Sequence, residues 1–387
     1  MGGETGISGI APVGWRVARR RRQLMIRLAL GPGMEGNPRK LLEDASQALP
    51  PELLHQNRLS PLLFDQWVHL RPSLAPEGGA WLDQLRDLLH ADAAAMLPRE
   101  RDWEELLRAS VRAGLTFCLL KGSALRAAGR SLPGRTQGDL DLLVRVEELE
   151  RAEAFFRSRG YRLLTGYRSR EGYLEDHFHF PMMGPEGHVE LHWSLGRCVP
   201  DGAIRRFWER SMEVEVGGVS ARILAPPDRL IHSCIHISEH AFGGMARWLG
   251  ELAQELRALE SGETTHFLHE AEHWNPRIVG APLHLLARWG EELGPVLAST
   301  LERSSATGSP LLAESLTAAA FEDQLPGIPP HVLTRAVANW LRTSRPFSIT
   351  LGTVYLRAVG EKVRRGRGSG GPPTRNDPGA EGQGQAP

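Results

Sequence analysis

Asp139 and Asp141 stand two apart in the segment GDLDLLV, a spacing that suits metal chemistry. Alternate residues of a strand leave the same face, so on a strand both carboxylates project together while Leu140 and Leu142 turn into the core. Paired hard carboxylates suit Mg²⁺, which takes oxygen ligands and is completed by water and substrate phosphates. Two such ions can stabilise both the attacking and the leaving oxygen of an in-line displacement. Glu190, in HVELHW, falls on a later predicted strand and offers a third carboxylate.

Upstream, Lys121, Gly122 and Ser123 end one predicted strand and open a helix. Gly122 permits close backbone approach, and Ser123 with the helix N-terminus offers donors to an anion such as a triphosphate. Lysine is rare in this chain, at 40, 121 and 362 only, so Lys121 stands out as a phosphate contact. Arg135 presents a planar fork that suits phosphate oxygens or a structural ion pair. His188 and His192 flank Glu190 on one strand face, and His177 and His179 share a face of the preceding strand. A transition-metal cluster there is geometrically conceivable, but the preferred role, His192 first, is to orient Glu190 or touch substrate. His232, His236 and His240 recur every four residues, which gives one helix a polar face turned toward the site, with His236 at its centre.

The elements that must position these groups are readable from periodicity. Residues 117–122, 139–144, 161–166, 177–183 and 188–195 read as strands, with a short helix over 123–129 and an amphipathic helix ending at Gly160. Residues 212–224 alternate around Gly217-Gly218 as a hairpin. Helical spacing fills 38–114, broken near Pro72 and Pro76, and returns from Pro226 through 282–293 and 331–343. The expected organisation is a disordered leader over 1–36, a helical N-terminal region over 37–114, and an α/β core over 115–225. A C-terminal helical region over 226–362 and a disordered tail over 363–387 complete it.

Composition sets limits on function. The 387 residues carry a formal net charge of zero, 41% hydrophobic and 24% charged residues, which gives no overall pull toward nucleic acid or membrane. Basic clusters at Arg19 to Arg22 and near Lys362 fall in the predicted tails without interleaved aromatics. No apolar run approaches the roughly 18 residues of a membrane span. The three cysteines lack metal or redox spacing, in keeping with a cytoplasmic protein. Arg19 to Arg22 ahead of LMIRLALGPG has the outline of a twin-arginine export signal, but Arg27 interrupts the apolar stretch, and Met34 is an alternative start.

The order of elements, from Gly-Ser at a strand end through D-x-D to a later strand carboxylate, resembles the DNA polymerase β-like nucleotidyltransferase superfamily. LKGSAL, R-x-x-GDLDLLV, ELHW, LIHSCIHISEHAF and RWLGELAQEL, with ELLHQNRLSPLLFDQ as a helical lead-in, resemble a bacterial family of uncharacterised nucleotidyltransferases over roughly residues 50–300. The resemblance implies an α+β fold: a polymerase β-like core, a mixed sheet with flanking helices, between helical N- and C-terminal regions. It implies that Asp139, Asp141 and Glu190 hold two Mg²⁺ ions and that Gly122 and Ser123 hold the phosphates of an NTP. It implies transfer of a nucleoside monophosphate to an acceptor hydroxyl with release of pyrophosphate. Lys121 departs from the double glycine of many superfamily members but matches the family's LKG. Glutamate at 190 in place of aspartate departs from the superfamily pattern and shifts by about one methylene the carboxylate that the resemblance implies as the base for the acceptor hydroxyl. The acceptor is unspecified, with a small molecule ahead of protein or RNA. The alternative reading is a non-catalytic nucleotide-binding or scaffold protein that retains the fold.

Overall fold

The computed structural model describes residue 21, residues 24–31, and residues 37–272 except 131–134, 165–168, 198, 200 and 241–244, together with 274, 278–280, 282–283 and 286. The helix expected over 331–343, most of that over 282–293, the tail from 363, the cluster near Lys362, most of the one at Arg19 to Arg22, and Met34 lie outside the described residues.

Helices α1 (Pro38–Ala48), α2 (Pro51–Gln56), α3 (Ser60–Trp67) and α4 (Pro76–Arg112) form the first part of the chain. The core follows as β1 (Cys118–Leu119), α5 (Lys121–Ala127), β2 (Asp139–Leu143), α6 (Leu149–Ser158), β3 (Arg162–Leu163), α7 (Arg170–Asp176), β4 (His179–Gly184) and β5 (Gly187–His192). After α8 (Asp201–Arg210), the strands β6 (Met212–Val216) and β7 (Val219–Ile223) lead to α9 (Pro226–Glu239), α10 (Met245–Arg257) and α11 (Ser261–Glu272). The fold is mixed α/β, as expected, and among the described residues no helix is long and apolar enough to cross a membrane.

One sheet carries all seven strands in the order β3-β4-β5-β2-β1-β7-β6. β2 pairs parallel with β5, β1 pairs parallel with β7, and the remaining neighbours are antiparallel. Strand alternation explains which face is buried: Leu140, Leu142, Val189 and Leu191 pack with Phe117, Phe156 and Phe180, leaving the other face of β2 and β5 for the polar residues. Amphipathic α6 covers this core with Leu149, Ala152 and Phe156 and stops where Gly160 takes φ +86°. Gly217 (φ +57°) and Gly218 (φ +76°) supply the two left-handed positions that a two-residue hairpin between β6 and β7 requires.

Part of the expected disordered leader is ordered. Residues 24–30 are helical, and Ile26, Leu28, Ala29 and Leu30 are fully buried. Trp67 Nε1 donates to the Leu28 carbonyl (2.8 Å), and Arg257 donates to the Leu30 carbonyl (2.9 Å). The apolar stretch LMIRLAL thus works as a core helix despite Arg27, whose charge is compatible with the outer side of an amphipathic turn. Two further helices, α7 and α8, were not anticipated. α8 carried a readable signal, since Ala203, Ile204, Phe207 and Trp208 recur at helical spacing.

Candidate active site

The site is built by strand register. In the parallel pairing of β2 with β5, Asp139 lies opposite His188, Asp141 opposite Glu190 and Leu143 opposite His192. β4 adds His179 opposite His192 and Pro181 opposite Glu190. Period-2 alternation therefore gathers Asp139, Asp141, His188, Glu190, His192 and His179 on the face away from Leu140, Leu142, Val189 and Leu191.

Lys121 reaches into this group from the β1–α5 corner. The Leu120 amide donates to the Asp141 carbonyl (3.1 Å), which ties the corner to β2. Lys121 itself takes φ +48°, a left-handed conformation uncommon for a residue with a Cβ. Its Nζ donates to Asp141 Oδ1 (2.5 Å) and to Glu190 Oε2 (3.0 Å). Burial works against the ammonium, but Asp141 and then Glu190 outweigh it and raise its pKa, so the charge persists at physiological pH.

His192 sits behind the carboxylates, fully buried, with Nε2 3.1 Å from Asp141 Oδ1 and 3.3 Å from Glu190 Oε2. Burial disfavours its charged form, yet hydrogen bonds with Asp141 and Glu190 raise its pKa overall. Burial raises Asp141, whereas Glu190, also desolvated, is drawn below the usual carboxylate range by His192 and Lys121. His179 Nε2 lies 3.6 Å from Glu190 Oε1; burial, with His192 adding repulsion, lowers it to about 2, so this imidazole is neutral.

Gly122 and Ser123 follow Lys121 in α5. A Cβ at Gly122 would collide with the Arg135 guanidinium and Gln137, so no larger residue fits there without displacing them. Ser123 Oγ accepts from Gln137 Nε2 (2.5 Å), and the same amide nitrogen donates to the Asp139 carbonyl (2.7 Å). Arg135 is buried and grips Glu251 of α10 through both Nε (2.8 Å) and Nη2 (3.1 Å), while Arg247 Nε donates to Glu251 (2.9 Å). Arg135 is thus held in a structural ion pair, although its guanidinium stays against Gly122.

A cleft of about 230 Å³ opens over these groups. Lys121, Gly122, Arg135, Asp139, Asp141, Glu190 and His236 line it, whereas Ser123 and His192 are buried and half-buried His188 is not part of its lining. The opposite wall comes from α9 and α10, where His236 lies edge-on to Trp248 (4.7 Å between ring centroids) and to His240 (4.4 Å). Burial, reinforced by Lys121, keeps His232 and His236 well below the usual histidine pKa, so both are neutral. Arg58, Arg247 and Arg229 also border the cleft. Arg58 is exposed, takes φ +56°, and makes no ion pair among the described residues. Sequence reasoning passed over Arg58, Gln137, Arg247 and Glu251; helical spacing assigns Trp248, with Leu249, Leu252 and Leu256, to the core, and Trp248 packs against that core while also lining the cleft. Arg58 lies inside a matched motif but carries no local spacing signal, and Glu251 is recognisable only by its distant partner.

The donor set fits a hard divalent cation on one side. Asp139, His188 and Glu190 each offer a ligand atom, all within 4.8 Å of one another. The Asp139 carboxylate makes no hydrogen bond or ion pair among the described residues, and His188 Nε2 is buried without a partner there. Between Asp141 and Glu190 the Lys121 ammonium already fills the space. His179, Glu190 and His192 form a second group of the same dimensions, with His192 Nε2 already engaged by Asp141.

A family model described as an uncharacterised nucleotidyltransferase matches residues 51–290. No curated protein and no solved structure matches the chain.

Proposed function

The chain belongs to this family of uncharacterised nucleotidyltransferases, and on that footing we propose that it transfers a nucleoside monophosphate from an NTP to an acceptor hydroxyl in a divalent-metal-dependent reaction. The observation that carries this reading is the register that sets Asp141 against Glu190, with Asp139 beside them, at the mouth of a cleft rich in cations. The acceptor oxygen attacks the α-phosphorus, the bond to the β-phosphate breaks, and pyrophosphate leaves. Such a transfer needs positioning and charge neutralisation rather than covalent chemistry from the protein.

Mg²⁺, held by carboxylates of this set when bound, would polarise the phosphoryl oxygens and neutralise their charge. The chain's own groups do the rest. Arg58 and Arg247 face the phosphates from the cleft wall, and Gly122 lets them approach the backbone. Lys121 keeps one of its three N–H donors for a substrate oxygen, the other two being spent on Asp141 and Glu190. Glu190, ionised and beside His192, accepts the acceptor's proton. The Trp248, His236 and His240 wall offers flat rings to the nucleobase. With no net charge to attract a polynucleotide, the acceptor we favour is a small molecule. The same reading places the protein in the cytoplasm; Cys118 and Cys234, the described cysteines, are unpaired thiols.

One observation favours a second reading, a non-catalytic nucleotide-binding scaffold: the Lys121 ammonium stands among the carboxylates. Retention of all three carboxylates argues for the enzyme.

Labelled substrate separates the classes. Incubated with a metabolite extract, NTP labelled at the α-phosphate should pass its label to an acceptor, while γ-label appears in pyrophosphate. Transfer of γ-label to the acceptor, or no turnover with any NTP, would overturn the proposal.

A further inference from the structure

We propose that Lys121 is a built-in cation that takes the place of one of the two divalent ions this chemistry ordinarily uses, leaving a single ion to Asp139, His188 and Glu190. The inference rests on the nucleotidyl-transfer reading and deepens it. Two-metal sites place one ion at the attacking oxygen and one at the leaving oxygen. Here the space between Asp141 and Glu190 holds the Lys121 ammonium, 2.5 Å and 3.0 Å from their oxygens.

The lysine is set there by the backbone as well as by charge. Its φ of +48° turns the side chain at the β1–α5 corner toward the sheet, and a residue with a Cβ holds that conformation only where its surroundings enforce it. Asp141 is 1% exposed, and its Oδ1 already accepts from both Lys121 and His192. An ion entering between Asp141 and Glu190 would have to break the hydrogen bonds of that oxygen and displace a part-buried ammonium from the two carboxylates that hold it.

The Asp139 side is different. Its carboxylate makes no hydrogen bond or ion pair among the described residues, it borders the cleft, and His188 opposite it in register brings a buried Nε2 that lacks a hydrogen bond. Asp139, His188 and Glu190 together offer two oxygens and a nitrogen within 4.8 Å. An imidazole in the set favours Mn²⁺ over Mg²⁺, because Mg²⁺ prefers oxygen alone. The lysine and one ion share the work that two ions do elsewhere, with Lys121 facing the oxygen nearest Glu190.

The number of ions per chain tests this. Electron paramagnetic resonance would count Mn²⁺ bound to the full chain with a non-hydrolysable NTP analogue, for wild type and Lys121→Met. The expected count is one ion in wild type and two in Lys121→Met, where the vacated carboxylates take the second. Two ions in wild type would overturn the inference, because the ammonium must then move aside; that count decides even where Lys121→Met is too unstable to measure. One ion in both proteins would also overturn it, since removing the lysine would open no site. Absence of any bound Mn²⁺ and nucleotide from both proteins would overturn the transfer reading along with it.

Discussion

Asp141 on β2 and Glu190 on β5 face each other in parallel register, and the single ammonium of Lys121 bridges them. The three groups come from three elements, so the charge balance at the heart of the cleft depends on the sheet being assembled in this order. A one-residue slip of β5 would turn Glu190 into the core and bring Val189 or Leu191 to the site. Four measurements follow from this arrangement.

Arg58 is exposed, borders the cleft and makes no ion pair among the described residues. Arg58→Ala should leave the melting temperature unchanged and weaken NTP binding by on the order of tenfold, about 1.4 kcal/mol. Isothermal titration beside a thermal melt reads both. A variant that binds NTP as tightly as wild type would remove Arg58 from the phosphate site.

Glu251 joins the cleft wall to the core. Burial raises its carboxyl, but Arg135 and then Arg247 prevail and hold it at about 2, below its usual 4.5. A depressed carboxyl adds stability that is present above pH 4.5 and is lost as pH falls from 4.5 toward 2. The shift corresponds to about 3 kcal/mol. Glu251→Gln should therefore be less stable than wild type by about that amount at pH 7, with the gap closing across this acid window. Urea denaturation at a series of pH values would show it, and a gap that does not change with pH would contradict the assignment.

Local pattern made the strands and the D-x-D pair legible, because Asp139, Leu140, Asp141 and Leu142 declare their faces by alternation. Glu190 was legible as an inward strand carboxylate, but the sequence did not say which strand it would meet. That pairing joins residues 49 apart and follows from packing. The Lys121 bridge was not legible for the same reason, and its sequence reading was a phosphate contact. Arg135 was left between phosphate and ion pair until Glu251, 116 residues on, came beside it. The leader misled because Gly, Pro and Arg dominate its composition, while its short apolar run finds its partners far along the chain, Trp67 and Arg257 among them.

That run gives the third test. Leu28 is fully buried, and its carbonyl accepts from Trp67. Leu28→Ala should cost about 2–5 kcal/mol of unfolding free energy, the usual range for a buried leucine. Chemical denaturation measures it directly. No loss of stability would mean that residues 24–30 do not pack as described.

The central claim is that Asp139, Asp141 and Glu190 form a metal-dependent nucleotide site. Equilibrium binding of each NTP, with and without Mg²⁺ or Mn²⁺, to wild type and to Asp139→Asn tests it most directly. The account predicts binding by wild type that strengthens with the metal, and loss of that metal-dependent part in Asp139→Asn while the fold stays intact. Failure of every NTP to bind wild type, or metal-dependent binding that survives in Asp139→Asn, would contradict it.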